Sequence, residues 1–521
     1  MLDVFDRCVA EGGDTPFVRY GAETLSFGRT VQEARTLAAA LHNLGVGPGD
    51  RVAIDLPNGP EFVVSALAAA NLGASIVPLN PAYSSHELQF MLRNSESSVV
   101  VVVEEFDGID NLELFERMHF ALPDLQYMVT VGEEDLWYDD RIFQFEDLIS
   151  SGEGKPLPAV EIDPSEHVFA ILYTAGTTGK PKGVMLTHSN LVRTNAATAE
   201  ALDLTREDTV MIAMPLFAIF GLGALIAAIN AGASVALVDR FDPDETLRAI
   251  ADQRVSAIYG TPSVFAGMLR SPLLDQVDLS SLRAGIIAGA PVIDTLIREA
   301  RQRLTPGLEI AYGMTETSST VSLTRPDDAA EARNFTAGRL LPGVEARVLA
   351  DDGSELPVES VGELAVRGFN VMKGYNRQPE ETQRSFTPDG FFRTGDLGMV
   401  DEDGYLHIIG RKKETIIRGE LVIYPRELET LLRLHPAVQD VAVVGVQDDV
   451  LGELICACIL PVEGAIVTGD EVKEFCQGKV AAYKVPDLVR FVDAFPMTGS
   501  GKVRRVELAR MMVAERAARR G

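Results

Sequence analysis

The segment Tyr173-Thr-Ala-Gly-Thr-Thr-Gly-Lys-Pro-Lys-Gly-Val184 gathers the residue types that phosphate chemistry asks for. Gly176 and Gly179 can take positive φ and let the backbone approach an anion closely. The hydroxyls of Thr174, Thr177 and Thr178 can donate to phosphate oxygens, and Lys180 and Lys182 add positive charge. An apolar strand over 168–173 leads in and a second strand over 184–186 leads out, so the pattern predicts a phosphate cradle between two strands. It is not a Walker A loop, which needs four residues between its first Gly and Gly-Lys-[Ser/Thr]; here two intervene and Pro181 follows the lysine. A P-loop triphosphatase is therefore disfavoured. A second polar feature is Asp396 in Thr394-Gly-Asp, a carboxylate that can accept hydrogen bonds from two neighbouring hydroxyls.

The cradle resembles the signature of the adenylate-forming ligase superfamily, which includes acyl-CoA synthetases, the adenylation domains of nonribosomal peptide synthetases and firefly luciferase. Further motifs agree in the family's order: Tyr312-Gly-Met-Thr-Glu316, Gly362-Glu-Leu with Gly374-Tyr375, Thr394-Gly-Asp396, Gly410-Arg-Lys-Lys413, Tyr483-Lys-Val-Pro486 and Pro496-Met-Thr-Gly-Ser-Gly-Lys502. The resemblance implies ATP, Mg2+ and coenzyme A as reaction partners. It implies that Glu316 ligates Mg2+, that Thr174 and the loop residues Gly176 to Lys180 and Lys182 surround the phosphates, and that Thr315 touches the α-phosphate. It further implies that Tyr312, Gly313, Gly289 and Ala290 lie near the nucleotide and that Asp396 and Arg411 hold the ribose. By the same resemblance Lys502 bridges the substrate carboxylate and the α-phosphate, Lys413 is the pivot of a small domain, and Gly419 lets the pantetheine arm pass.

The acyl pocket implied by the resemblance is built from 215–221, 259–262, 288–291 and 312–313, with Phe217, Ala218, Gly221, Tyr259 and Gly313 as lining residues. Two positions depart from the family pattern. Ala218 stands where many acyl-CoA synthetases carry His, which opens space and removes a polar gate. Ala175 stands where Ser is usual and costs the cradle one hydroxyl. No charged side chain occurs in 215–221, which favours a hydrophobic fatty or aryl acid, because an amino acid would leave its ammonium unpaired there. His188 and His407 read as structural histidines, and Cys456 and Cys458 as buried thiols facing one way on a strand.

The elements that must position these residues read as α/β layers. Short β-branched runs alternate with Ala/Leu-rich stretches of helical period, at 51–56, 61–72, 74–78 and 98–103, then through strand 168–173, helices 189–202, 221–230 and 243–252, and strands 233–238, 256–259 and 308–312. The Gly/Pro/Glu-rich stretch 151–164 reads as a link between two α/β subdomains. After residue 340 turn signals at Asp352-Gly353, Pro388-Asp389-Gly390 and Asp403-Gly404 predict a β-rich subdomain. From Lys412 a small α+β unit follows, with helices 425–433 and 470–481, strands near 440–446 and 454–460, and a final basic helix from about 504. The expected division is a large domain over 1–411 and a small mobile one over 412–521.

The 521 residues carry a net charge of −29, a sign that opposes a broad nucleic-acid or anionic-lipid surface, so any nucleotide site must bring its own local cations. Four cysteines in this length make no disulfide framework. The acidic start lacks an export signal, which sets a cytoplasmic location as the expectation. The uncharged stretch 209–238 is broken by Pro215, Gly221, Gly223, Asn230 and Gly232, and a helix-to-strand change near 231–233 explains it better than a membrane span. A homodimer is left open. The expected activity is an ATP-dependent carboxylate–CoA ligase working through an acyl-AMP; the alternatives are transfer of the acyl group to an amine or a separate carrier protein, or a non-catalytic acyl- or nucleotide-binding protein.

Overall fold

A computed structural model describes residues 1–132, 140–174, 181–418, 421–448, 451–497 and 503–520, apart from the side chains of 119 and 515–520. The chain is α/β and divides into two compact units, one of residues 1–345 and 366–392, the other of 346–365 and 393–521. The division follows spatial packing, so it detaches the stretch 346–365 and groups it with the C-terminal part of the chain.

Among the described residues the first unit holds two large sheets. One runs in the order Arg339–Leu340, Ser322–Leu323, Leu308–Tyr312, Ala284–Ile287, Ala257–Gly260, Thr209–Ile212, Ser234–Leu237, Pro16–Tyr20, Glu23–Ser26. Its strands from Leu308–Tyr312 through Pro16–Tyr20 are mutually parallel. The other runs Gly374–Tyr375, Lys182–Thr187, Val168–Thr174, Ser75–Pro78, Arg51–Asp55, Val99–Val103, Tyr127–Val131, Ile142–Gln144. One apolar core joins them: Val52, Ile76 and Val99 of one sheet and Val210, Val235 and Ala257 of the other belong to it with Leu37, Ala68, Leu191 and Leu225 from four helices. Strands buried on both faces read as continuous apolar runs, which is why 99–103 is all valine.

The link at 151–164 does not separate two subdomains as the sequence suggested. Strands on both sides of it, Arg51–Asp55 before and Val168–Thr174 after, belong to the same sheet, with Ser75–Pro78 between them. Parallel strands joined by crossovers need not be spatial neighbours in chain order, and composition carries no record of that order. The helix-to-strand change at 231–233 is as expected: Ile219–Ala231 ends at Gly232 with φ 71° and Ser234–Leu237 follows. No helix among the described residues is long and apolar enough to cross a membrane.

A four-stranded sheet, Val344–Leu349, Gly362–Gly368, Phe392–Val400, Leu406–Arg411, falls mostly in the second unit, where another sheet pairs Val438–Asp448 with Gly452–Pro461. Helices Pro425–Leu432 and Gly469–Cys476 supply Leu428, Leu432 and Val472 to one core cluster of this sheet, and Leu508 and Met512 of the final helix pack with Cys456 and Cys458 in another. The second helix stops at Cys476, short of the expected 481, because Gly478 turns to φ 74° and Gln477 bridges to Val480. All four cysteines are buried free thiols.

One core residue carries a pH signature. Asp55 ends the Arg51–Asp55 strand fully buried, and neither carboxylate oxygen has a hydrogen-bond partner among the described residues. Burial alone pushes its pKa up to about 7. An unfolded aspartate ionises near pH 4, so between about 4 and 7 the folded chain binds the extra proton, and stability falls as pH rises through that window. Buried His188, held down to about 3 by desolvation, has the opposite slope, losing stability as pH falls below about 6.5. The two slopes mask each other in the unaltered chain. Asp55→Asn is therefore expected to match it in thermal midpoint at about pH 4 and to exceed it at pH 8, by a few kcal/mol in free energy. Calorimetry of both chains across this range checks it; a gain independent of pH would contradict the assignment.

Candidate active site

The Val168–Thr174 and Lys182–Thr187 strands form an antiparallel hairpin in which Thr174 faces Lys182 across the ladder. The hairpin brings both ends of the Gly/Thr loop to one place; Gly176, Thr177, Thr178, Gly179 and Lys180, like Ala175, lie outside the described residues. Thr187 then caps the His188–Ala201 helix, exchanging hydrogen bonds with Asn190 in a capping box.

Glu316 sits in the Thr315–Thr317 turn that follows the Leu308–Tyr312 strand, and this turn packs against the Lys182–Thr187 strand. Two of the motifs singled out in the sequence thus meet. The turn is tight: Ser318 and Ser319 hold φ of 56° and 93°, and a Cβ on Gly313 would fall 1.9 Å from the Ser319 carbonyl oxygen, so that position requires glycine.

A third stretch, 369–376, ties the two together. Asn190 Nδ2 donates to the carbonyls of Phe369 at 2.7 Å and Val371 at 3.0 Å, and Ser318 Oγ donates to the Asn370 carbonyl at 2.8 Å. The Met372 N–H donates to the Glu316 carbonyl at 2.9 Å. Tyr375, 5% exposed, pairs with Val184 in the sheet, and its hydroxyl donates to Glu316 Oε1 at 3.0 Å. Burial, then the Glu316 charge, drives the Tyr375 pKa far above its ordinary value, so the hydroxyl keeps its proton. Lys182, expected beside the phosphates, has its ammonium 2.5 Å from Glu381 Oε1 and 4.6 Å from the centre of the Tyr375 ring.

The residues expected to line an acyl pocket lie at or just beyond the carboxyl ends of neighbouring parallel strands. Phe217, Ala218 and Gly221 follow Thr209–Ile212, Tyr259 is in Ala257–Gly260, Gly289 and Ala290 follow Ala284–Ile287, and Tyr312 and Gly313 close Leu308–Tyr312. Ligands in open α/β sheets bind at this end. The Phe220 and Tyr259 rings meet at 5.8 Å, and a Cβ on Gly221 would fall 2.2 Å from the Pro215 carbonyl oxygen, so the helix can begin this close only with glycine. Sequence reading missed Asn58, whose amide clamps this loop: Nδ2 donates to the carbonyls of Met214 at 3.0 Å and Val238 at 2.9 Å, and Oδ1 accepts from Leu216 at 2.7 Å. It also missed Tyr375 as a partner of Glu316, and Glu381. Pro57-Asn58-Gly59 has the composition of a turn, and only its partners in the segments after two strands of the other sheet reveal the clamp.

In the second unit Asp396 and Arg411 face each other across the Phe392–Val400 and Leu406–Arg411 strands, with Arg411 Nε 2.7 Å from Asp396 Oδ1. Asp396 is 4% exposed, and its N–H donates to Thr394 Oγ1 at 3.1 Å. Lys413 is exposed in the short Lys412–Glu414 turn just after these strands. His407 bonds Asp401 at 2.8 Å and His188 packs on Phe169, as expected of structural histidines. Gly419 and Lys502 lie outside the described residues.

Residues 5–376 match the sequence family of AMP-binding enzymes, and 427–502 match the AMP-binding enzyme C-terminal domain. The chain is 37% identical over 503 residues to YngI of Bacillus subtilis (strain 168), covering 91% of this chain and 89% of that one. It is 33% identical over 513 residues to the mitochondrial medium-chain acyl-CoA ligase ACSF2 of Bos taurus, covering 94% and 83%. Among solved structures it resembles ATP-bound MatB from Rhodopseudomonas palustris, with a TM-score of 0.87, 31% identity and 98% of each chain covered. It also resembles the amide bond synthetase McbA from Marinactinospora thermotolerans, with a TM-score of 0.85, 28% identity and 97% and 99% covered. The chain is an AMP-binding enzyme and belongs to the acyl-CoA synthetase family of adenylate-forming ligases.

Proposed function

We propose that the enzyme joins a hydrophobic carboxylic acid, fatty or aryl, to coenzyme A. In the first half-reaction an oxygen of the carboxylate attacks the α-phosphorus of ATP, the new O–P bond forms, and the bond to pyrophosphate breaks. In the second, the sulfur of coenzyme A attacks the acyl carbonyl and AMP leaves. The observation that carries the choice of acid is the aromatic pair Phe220 and Tyr259 beside a loop, 213–221, that contains no charged side chain. Such a wall binds an apolar chain or ring and leaves an ammonium group without a partner.

On this reading Thr174 and the Gly/Thr loop surround the phosphates, Thr315 contacts the α-phosphate, and Tyr312, Gly313, Gly289 and Ala290 bound the nucleoside. Asp396 and Arg411, already aligned by their ion pair, receive the ribose hydroxyls. Lys502 bridges carboxylate and α-phosphate. A small domain beginning at 412 then turns about Lys413 and brings Gly419 to the pantetheine arm. Glu316 suits Mg2+: that cation takes one or two carboxylates together with substrate phosphates, and Oε2 of Glu316 has no hydrogen bond among the described residues while Oε1 is fixed by Tyr375. No group of three or more His, Cys, Asp or Glu among the described residues could cage a metal by itself, in keeping with a cation that arrives with the nucleotide. Bound there, Mg2+ would neutralise phosphate charge.

The test is AMP formation by the purified chain across aliphatic, aromatic and amino acids, with and without coenzyme A. The expected result is turnover of apolar acids that depends on coenzyme A, with amino acids at least about 100-fold lower in kcat/KM. Turnover confined to amino acids would refute the substrate class. The likeness to McbA supports a second reading, acyl transfer to an amine; AMP release that needs an amine and ignores coenzyme A would favour it.

A further inference from the structure

We propose that Tyr375 and Lys182 are positioning residues for Glu316: the Tyr375 hydroxyl fixes one carboxylate oxygen so that the other faces the metal, and Lys182 holds the Tyr375 ring in place instead of binding phosphate. This rests on the reading of Glu316 as the Mg2+ ligand.

A carboxylate on a short turn can rotate about its terminal bond, and a rotating ligand presents its free oxygen to a metal only part of the time. The Tyr375 hydroxyl removes that freedom by bonding Oε1 at 3.0 Å. Its own freedom is removed three times over. Its backbone is paired with Val184, its N–H donates to Thr382 Oγ1 at 2.9 Å, and its ring carries the Lys182 ammonium at 4.6 Å. Lys182 is committed in turn, its ammonium lying 2.5 Å from Glu381 with 13% of its side chain exposed. A cation spent on a carboxylate and an aromatic face is a poor phosphate ligand, because leaving them would strand Glu381 beside the ring. Lys182 is also the ladder partner of Thr174, so the group that steadies Glu316 is anchored on the strand that leaves the Gly/Thr loop. Glu316, the loop strand and 374–375 therefore move as one piece.

The experiment uses the full-length chain with Mn2+ as an EPR-visible probe and α,β-methylene-ATP, which does not turn over. Free Mn2+ gives the metal affinity of the nucleotide complex, and calorimetry without metal gives nucleotide affinity. Tyr375→Phe keeps the ring under Lys182 and removes only the hydroxyl. It is expected to weaken Mn2+ affinity about 10- to 100-fold, the range for loss of a group that orients a metal ligand, with metal-free nucleotide affinity unchanged. Lys182→Met is expected to weaken Mn2+ affinity in the same direction, again without a change in metal-free nucleotide binding, and Lys182→Arg to restore it. Thermal midpoints near that of the unaltered chain show that the variants fold. Unchanged Mn2+ affinity in Tyr375→Phe overturns the role of the hydroxyl, and a loss of metal-free nucleotide affinity in Lys182→Met overturns the role of the lysine. Glu316→Gln separates the layers: if it abolishes Mn2+ binding while Tyr375→Phe leaves Mn2+ affinity unchanged, only the positioning proposal fails, and if it leaves Mn2+ binding intact, the reading beneath it fails.

Discussion

Lys502→Ala is expected to cut acid-dependent pyrophosphate exchange by a factor of about 100 to 1000, the usual loss when one preorganised donor to a developing oxyanion is removed. The reason is electrostatic. A carboxylate approaching the α-phosphorus brings one anion to another, and a single ammonium between them attracts both and costs nothing to reorganise once the side chain is placed. The second half-reaction has no such need, since the adenylate is already formed and its carbonyl is the electrophile. The same variant, supplied with synthetic acyl-AMP and coenzyme A, should therefore make thioester within a few-fold of the unaltered rate. Measuring both reactions on one preparation distinguishes a lost group from a damaged fold. Exchange that survives at full rate would remove Lys502 from the chemistry.

The difference between what residue types and spacing disclose and what they hide is visible at Glu316 itself. Its place after a strand, in a motif, could be read directly, because the chemistry of the ligand and the local turn are set within a few residues. Its partner Tyr375 could not, since the contact joins positions 59 apart and depends on an edge strand of two residues pairing with Lys182–Thr187. The partner of Lys182 was hidden for the same reason: next to a glycine-rich loop the lysine reads as a phosphate cation, and the carboxylate it pairs with lies 199 residues further on. The α/β layering was legible because buried strands and helices differ in period, yet the link at 151–164 was misread because strand order is settled by crossovers that leave no local mark. Asn58 escaped notice because an asparagine between Pro and Gly has an ordinary turn composition, and its three bonds go to residues at least 156 positions away.

The same dependence on distant partners sets the other large effect, at Glu429. This residue is 1% exposed on the Pro425–Leu432 helix, and its Oε1 accepts from the Val443 N–H at 2.8 Å. Arg505 meets both oxygens, with Nη1 2.5 Å from Oε1 and Nη2 2.9 Å from Oε2. Arg505 also donates to the Val443 carbonyl at 3.0 Å and lies 3.2 Å from Glu414. One guanidinium thus ties the turn that holds Lys413, the helix that follows it and the start of the final helix, three residues beyond Lys502. Glu429→Ala leaves that half-buried cation with only Glu414 and the Val443 carbonyl, strips the Val443 N–H of its acceptor, and is expected to cost up to about 3–5 kcal/mol. Calorimetry should show this as an earlier transition for the C-terminal unit with the larger unit unmoved. Because a buried pair replaced by apolar groups of similar volume loses little stability, the double variant Glu429→Met with Arg505→Met should recover most of the transition temperature. Pyrophosphate exchange should not recover with it, since methionines pack but do not fix the segment leading to Lys502. Recovery of both together would mean that the ion pair serves stability alone, and lasting loss of exchange in a chain that melts normally would mean that it aims the lysine.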